Sequence, residues 1–205
     1  PVLINPAPYE RVDVDLPSLE RFSHLIVAIP QFADGRYTWL DATSETCSFG
    51  DLPASDQGRK GFIVGNDGGV FVDIPRFPPE SNRLVVNMEL ALDENASIHG
   101  KMHISTSGQY NMESRLNYKQ VHPNAWKDTF AAELSKQFPA VKVDEAAISE
   151  LNDLTVPVQI DIAFTADDYA RLSEAKSRIA GRMDGRMLLP LPSDEFTDYA
   201  VLFAA

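Results

Sequence analysis

His24 and Asp41 are the residues whose types and spacing best suit chemistry. They stand 17 positions apart in FSHLIVAIPQFADGRYTWLDAT, the stretch from residue 22 to residue 43. An imidazole held by a carboxylate has its tautomer fixed and its protonated form stabilised, as a general base or the ion-pair partner of a thiolate requires. The one cysteine, Cys47, follows in the loop SETCSFG. It has no helix start in its context to favour a thiolate, so it reads as a small packed or exposed thiol rather than a nucleophile. The competing reading of the pair is structural: His24 as a satisfied core histidine and Asp41 as a cap on the loop that follows.

The elements around the pair must bring it together. Leu25 to Pro30 is apolar and rich in Ile and Val, the pattern of a strand buried on both faces, and Arg36 to Leu40 alternates after Ala33-Asp34-Gly35. This predicts a β-hairpin. An odd separation within one antiparallel hairpin puts both side chains on the same face. Three registers remain open. Direct pairing of His24 with Asp41 centres the turn between Phe32 and Ala33, whereas a tight Asp34-Gly35 turn sets His24 opposite Glu45. A wider loop over Gln31 to Arg36 sets it opposite Thr43, with Asp41 a diagonal neighbour about 7 to 8 Å away at Cα. Trp39 has the parity of Asp41, so it shares that face and is placed to shield the pair from water.

Beyond the hairpin, CSFGDLPASDQGRKG is loop chemistry, and Phe62 to Val64 and Val70 to Ile74 flank Gly65-Asn66-Asp67-Gly68-Gly69 as a second hairpin. The adjacent prolines Pro78 and Pro79 mark a boundary, giving units of residues 1–77 and 78–205. In the second unit, Leu84 to Leu92 and Ile98 to Ser107 alternate as a long antiparallel hairpin. Asn124 to Gln137 places Trp126, Phe130, Leu134 and Phe138 at helical spacing, and Val156 to Phe164 alternates again. Gly108 to Lys119 and Asp167 to Ala180 are further helix candidates; Met187 to Leu191 and Tyr199 to Phe203 are candidate strands. The fold class expected is α+β, with antiparallel hairpins followed by an antiparallel sheet covered on one face by one to three helices.

Thirty acidic against 18 basic residues give a net charge of −12, which repels nucleic acid and anionic lipid. No apolar run is long enough to span a bilayer. His99 and His103 would share a metal on a helix, but on a strand they stand about 13 Å apart on the solvated face. Residues 65–69 lack the alternate acidic residues of a calcium loop, and Gly58-Arg59-Lys60-Gly61 lacks phosphate-loop spacing. Glu10, Arg11, Asp13 and Asp15 read as solvated surface. Neither a cofactor nor a metal site is expected.

The string His24, Gly35, Tyr37, Trp39 and Asp41-Ala42-Thr43 resembles the end of the transglutaminase-like core. The family pattern is a strand beginning with the catalytic His, a Gly-aromatic turn and a strand ending Asp-Pro-Thr; Ala42 stands in place of the Pro. DLPSLERFSHLIVAIP, WLDATSETCSFGDLP and SDQGRKGFIV are similar to a bacterial subfamily in which this core precedes a β-rich C-terminal domain. The match covers residues 1 to 75 well and 80 to 205 more loosely.

The resemblance implies a papain-like Cys-His-Asp triad with His24 as base and Asp41 as its orienting group. It also implies a peptide or protein amide substrate, hydrolysis or acyl transfer, and a periplasmic or cell-surface location in a bacterium. In the family the cysteine precedes the histidine, at a helix start; no cysteine precedes His24 here. The chain opens without Met in what reads as a strand, Val2 to Asn5, so the expectation is that the nucleophile lies upstream in a parent protein. The 205-residue chain alone should then be inactive. The alternative is a pseudoenzyme, a non-catalytic β-rich binding or scaffold module at the cell envelope.

Overall fold

The computed structural model describes residues 1–7, 12–15, 18–31, 36–66, 68–167 and 169. Two antiparallel sheets and two short helices make these residues a mixed α+β protein. The chain divides into two compact units, Pro1–Asn82 and a second beginning at Arg83. The division lies a few residues beyond the Pro78-Pro79 pair, because Phe77 packs on the first core and Pro79–Ser81 make a single 3-10 turn.

The first unit is a five-stranded sheet. Its strands are β1 (Val2–Ile4), β2 (His24–Pro30), β3 (Tyr37–Leu40), β4 (Lys60–Gly65) and β5 (Gly68–Asp73), in the order β3-β2-β1-β4-β5. Both expected hairpins are present, and the three residues of β1 join them. Val2 pairs with Ile26 on one side and Ile63 on the other, and Leu3 with Leu25 and Phe62. Val2, Ile4, Ile26, Trp39, Leu52 and Ile74 form the buried core on one face of this sheet.

The other face differs from the expectation of a strand buried on both sides. Leu25, Val27 and Ile29 are 50%, 37% and 41% exposed. A continuous apolar run does not reveal by itself how many of its faces are covered, because period-2 alternation is what distinguishes them.

The second unit carries β6 (Leu84–Leu92), β7 (Ile98–Thr106), α1 (Gln109–Lys119), α2 (Trp126–Leu134), β8 (Val141–Ile148) and β9 (Gln159–Ala166). The sheet order is β6-β7-β9-β8, antiparallel throughout. Alternation in β7 buries Ile98, Gly100, Met102, Ile104 and Thr106 and leaves His99 and Lys101 to solvent. Phe130, Leu134 and Phe138 pack on Ile160, Ile162 and Phe164, with Trp126 partly buried beside them. Each fully buried Ile, Leu or Phe of this kind contributes on the order of 1.5–3 kcal/mol. The ring of Phe164 lies over Gly100, where a Cβ would stand 2.2 Å from the ring carbon Cζ, so only glycine fits that position on β7.

Strand β8 has no counterpart in the sequence reading. A bulge between Val143 and Glu145 shifts its register, which breaks the alternation that would have announced it. The candidate elements at 167–180, 187–191 and 199–203 lie outside the described residues, apart from Asp167 and Tyr169.

Helix α1, the helix candidate expected from Gly108 to Lys119, docks through Tyr118 in the core and through polar groups. Asn111 Oδ1 accepts from the Val158 backbone N–H (2.7 Å) and from the Thr106 hydroxyl (3.4 Å). Arg115, fully buried, donates from Nη1 to the Leu151 carbonyl (2.7 Å) and the Glu150 carbonyl (3.4 Å), and from Nη2 to the Val156 carbonyl. One guanidinium thus ties α1 to the loop between β8 and β9. Replacing it orphans several buried acceptors together, so Arg115→Ala should lower unfolding free energy by about 3 kcal/mol. Urea denaturation measures this; a loss below about 0.5 kcal/mol, typical of surface substitutions, would show that solvent reaches those carbonyls.

Candidate functional site

His24 is the first residue of β2, paired with Ile4 of β1, and the Ser23 backbone N–H donates to the Ile4 carbonyl at 3.0 Å. Its parity is that of buried Ile26, so the imidazole lies on the core side at the open end of the strand. Its side chain keeps 23% of its surface exposed. Across the hairpin, Val27 pairs with Leu40 and Pro30 with Tyr37, and the Gln31 N–H donates to the Arg36 carbonyl at 2.8 Å. This is the wide-loop register: continued to the end of β2, it sets His24 across from Thr43 and Asp41 on the diagonal.

The diagonal is bridged. His24 Nε2 stands 3.2 Å from Asp41 Oδ2. The other carboxylate oxygen, Oδ1, accepts from the Thr43 backbone N–H (2.9 Å) and the Thr43 hydroxyl (2.7 Å). Thr43 therefore holds the carboxylate and leaves Oδ2 to the imidazole. Burial alone pushes Asp41 up, but the two Thr43 donors and His24 outweigh it and hold the carboxyl below its usual range. An ionised acceptor at Nε2 favours the neutral tautomer that carries its proton there, the one in which Nδ1 holds the lone pair a base needs.

Trp39 is buried in the core, on the face that His24 and Asp41 share, with its ring 5.5 Å from that of Tyr37.

A third residue completes the cluster, and the sequence reading missed it. Asp56 Oδ2 lies 3.9 Å from His24 Nε2, and one polar side-chain atom from each of the three residues lies within 4.8 Å of the others. Asp56 is 2% exposed; its Oδ1 accepts from the Ser55 hydroxyl at 2.9 Å, while Oδ2 has no hydrogen-bond partner. Burial pushes Asp56 above its usual value, the Ser55 hydroxyl offsets part of this, and the neighbouring charge of Asp41 adds to it.

The segment CSFGDLPASDQGRKG is loop, as its composition predicts, but it is internally braced. The Asp56 N–H donates to the Pro53 carbonyl at 3.0 Å, and Leu52 is buried in the core. The buried Gln57 amide donates to the Leu52 carbonyl (2.8 Å) and accepts from the Phe77 N–H (2.9 Å). Gly58 adopts φ +67°, and a Cβ there would stand 2.7 Å from Arg76 Nε. The basic residues are also engaged: Arg59 donates to the Ser55 carbonyl at 2.8 Å and Lys60 pairs with Asp73 at 2.7 Å. Only the loop character was legible in the composition; the burial of Asp56 follows from tertiary packing, for which local pattern carries no signal.

The remaining candidates stay apart from this cluster. His99 pairs with Asp93 at 3.1 Å and His103 with Asp161 at 2.7 Å, each on its own exposed carboxylate. Asp13 accepts from the Asp15 N–H at 3.0 Å on the surface, and Glu10 and Arg11 lie outside the described residues. No helix among the described residues is long and apolar enough to cross a membrane.

Cys47 is buried, and its thiol is pushed up to about 12, first by burial and further by the charges of Asp51, Asp41 and Asp56, with a Ser44 hydrogen bond offsetting part. A thiolate is thereby suppressed about 10³-fold relative to an ordinary cysteine. Iodoacetamide at pH 8 should therefore alkylate the folded chain slower than the denatured chain by about that factor. Equal rates, followed by mass spectrometry, would refute the burial and charge argument.

Comparison with known proteins returns no match to this chain, whether among protein-family models, curated proteins or solved structures.

Proposed function

We propose that His24 and Asp41 are the histidine and aspartate of a transglutaminase-like Cys-His-Asp triad, and that the chain is part of a cysteine-dependent amide-processing protein. The observation that carries this reading is the 3.2 Å contact of His24 Nε2 with a carboxylate whose other oxygen is fixed by Thr43. It leaves Nδ1 as the proton-accepting nitrogen on a partly exposed ring.

The chemistry follows from that geometry. Nδ1 takes the proton of a cysteine thiol, and the thiolate attacks the carbonyl carbon of a peptide or isopeptide amide. Asp41 stabilises the imidazolium, which returns the proton to the departing amine as the C–N bond breaks. The acyl-thioester left on sulfur is then resolved by water in hydrolysis or by an amine in acyl transfer. The sulfur is not Cys47, whose thiol is held protonated, so the reading assigns it to polypeptide upstream of Pro1 in the parent protein. By the same resemblance the parent acts in the periplasm or at the cell surface on peptide or protein amides.

The test uses the parent polypeptide, assayed for peptide-amide hydrolysis and for amine incorporation. His24→Ala should lower kcat/KM by about 10²–10⁴-fold. Asp41→Asn should cost up to about 10⁴-fold, because the amide no longer fixes the productive tautomer. The chain Pro1–Ala205 alone should be inactive; hydrolysis by it that His24→Ala abolishes would overturn the assignment of the nucleophile. A parent with Ala or Ser at the upstream position would support the scaffold reading instead, for which the half-exposed row Leu25, Val27 and Ile29 offers a docking face.

A further inference from the structure

We propose that His24, Asp41 and Asp56 form a binding site for a divalent transition-metal ion of the zinc type, bound through Nε2 of the histidine and Oδ2 of each aspartate. The inference does not rest on the triad reading, since it concerns what these three side chains bind.

Three observations carry it. The first is spacing. An ion with bonds of 2.0–2.1 Å in tetrahedral geometry keeps its ligand atoms about 3.3–3.4 Å apart. Here Nε2 lies 3.2 Å from Asp41 Oδ2 and 3.9 Å from Asp56 Oδ2, and one ligand atom of each residue lies within 4.8 Å of the others, so side-chain rotation alone can bring all three around one ion.

The second is the unanswered oxygen. Asp56 Oδ2 is buried with no donor, and it faces a cluster containing a second carboxylate. Two buried acceptors side by side need a positive charge or a shared proton between them. A divalent cation supplies the former to both at once, and the two carboxylates neutralise it.

The third is the outer support. In each aspartate the oxygen not assigned to the ion is already held, Asp41 Oδ1 by Thr43 and Asp56 Oδ1 by the Ser55 hydroxyl at 2.9 Å. Both carboxylates are thus oriented for single-oxygen coordination through Oδ2, the arrangement that gives ligands their direction in built metal sites. The ring of His24 is partly exposed, which leaves an approach and a fourth position for water. One nitrogen and two carboxylate oxygens suit Zn²⁺, Mn²⁺ or Co²⁺, whereas calcium asks for six to eight oxygens.

On binding, the imidazole stays neutral: the proton on Nε2 moves to Nδ1 and the Nε2 lone pair goes to the metal. The same ring then has no free base nitrogen, so the metal-loaded state and the dyad state exclude each other.

The test titrates the chain Pro1–Ala205 with Co²⁺, followed by its visible d–d absorption, and with Zn²⁺ by calorimetry. One equivalent should bind, and the His24 ring resonances should shift on adding Zn²⁺ while those of the other three histidines do not. Asp56→Asn, close to isosteric, should weaken binding by more than about 100-fold, beyond what loss of outer support alone costs. The double variant His99→Gln, His103→Gln should bind as the parent sequence does. Absence of a single equivalent, or binding that survives Asp56→Asn and vanishes in the double variant, overturns the site. Should Asp56→Asn fail to fold, the His24 resonances of the unmodified chain decide the matter.

Discussion

The arrangement of the first unit depends on the three residues of β1 lying between the two hairpins. Their ladder fixes β2 on one side and β4 on the other, with Val2 shared between Ile26 and Ile63. Because β3 is the outer strand beside β2, the connection from Asp41 to Lys60 has to pass from one edge of the sheet to the far side of β1. It does so over the core face, burying Cys47 and Leu52 on the way. That crossing is what sets a second carboxylate, Asp56, against the open end of β2. Without β1 the hairpins would be neighbours in sequence only, and His24 would have one acidic partner instead of two.

Much of this was legible because strand chemistry has a period of two. The odd separation of His24 and Asp41 placed both on one face whatever the turn, and Trp39 with them. The register was not legible, since three turn geometries satisfied the same parity; the bond from Gln31 to Arg36 is what selects among them. Asp56 was invisible for a different reason. Its burial comes from Leu52 entering the core and from Gln57 bridging Leu52 and Phe77, contacts between residues that no local pattern connects.

The second unit shows two further limits of periodic reading. Helix α2 is announced by aromatic and aliphatic side chains four apart, because it is held by apolar packing. Helix α1 buries Asn111, Ser114 and Arg115 beside Tyr110, Met112 and Tyr118, so polar and apolar residues share its inward face and dilute the apolar stripe. Strand β8 alternates only on either side of its bulge, and each half is too short to be distinctive. The segment from Gly108 to Lys119 was nonetheless legible as a helix candidate, which α1 bears out, whereas the irregular ladder of β8 left no stripe in the sequence.

The left-handed turn at Gly58 sits two residues beyond Asp56, with Arg76 filling the space where a side chain would go. Any larger residue there would have to displace the Arg76 side chain and hold a left-handed backbone that residues other than glycine rarely adopt. The turn that leaves the acidic loop is therefore set by a residue that carries no functional group, so a cluster of charged side chains is bordered by a purely conformational requirement.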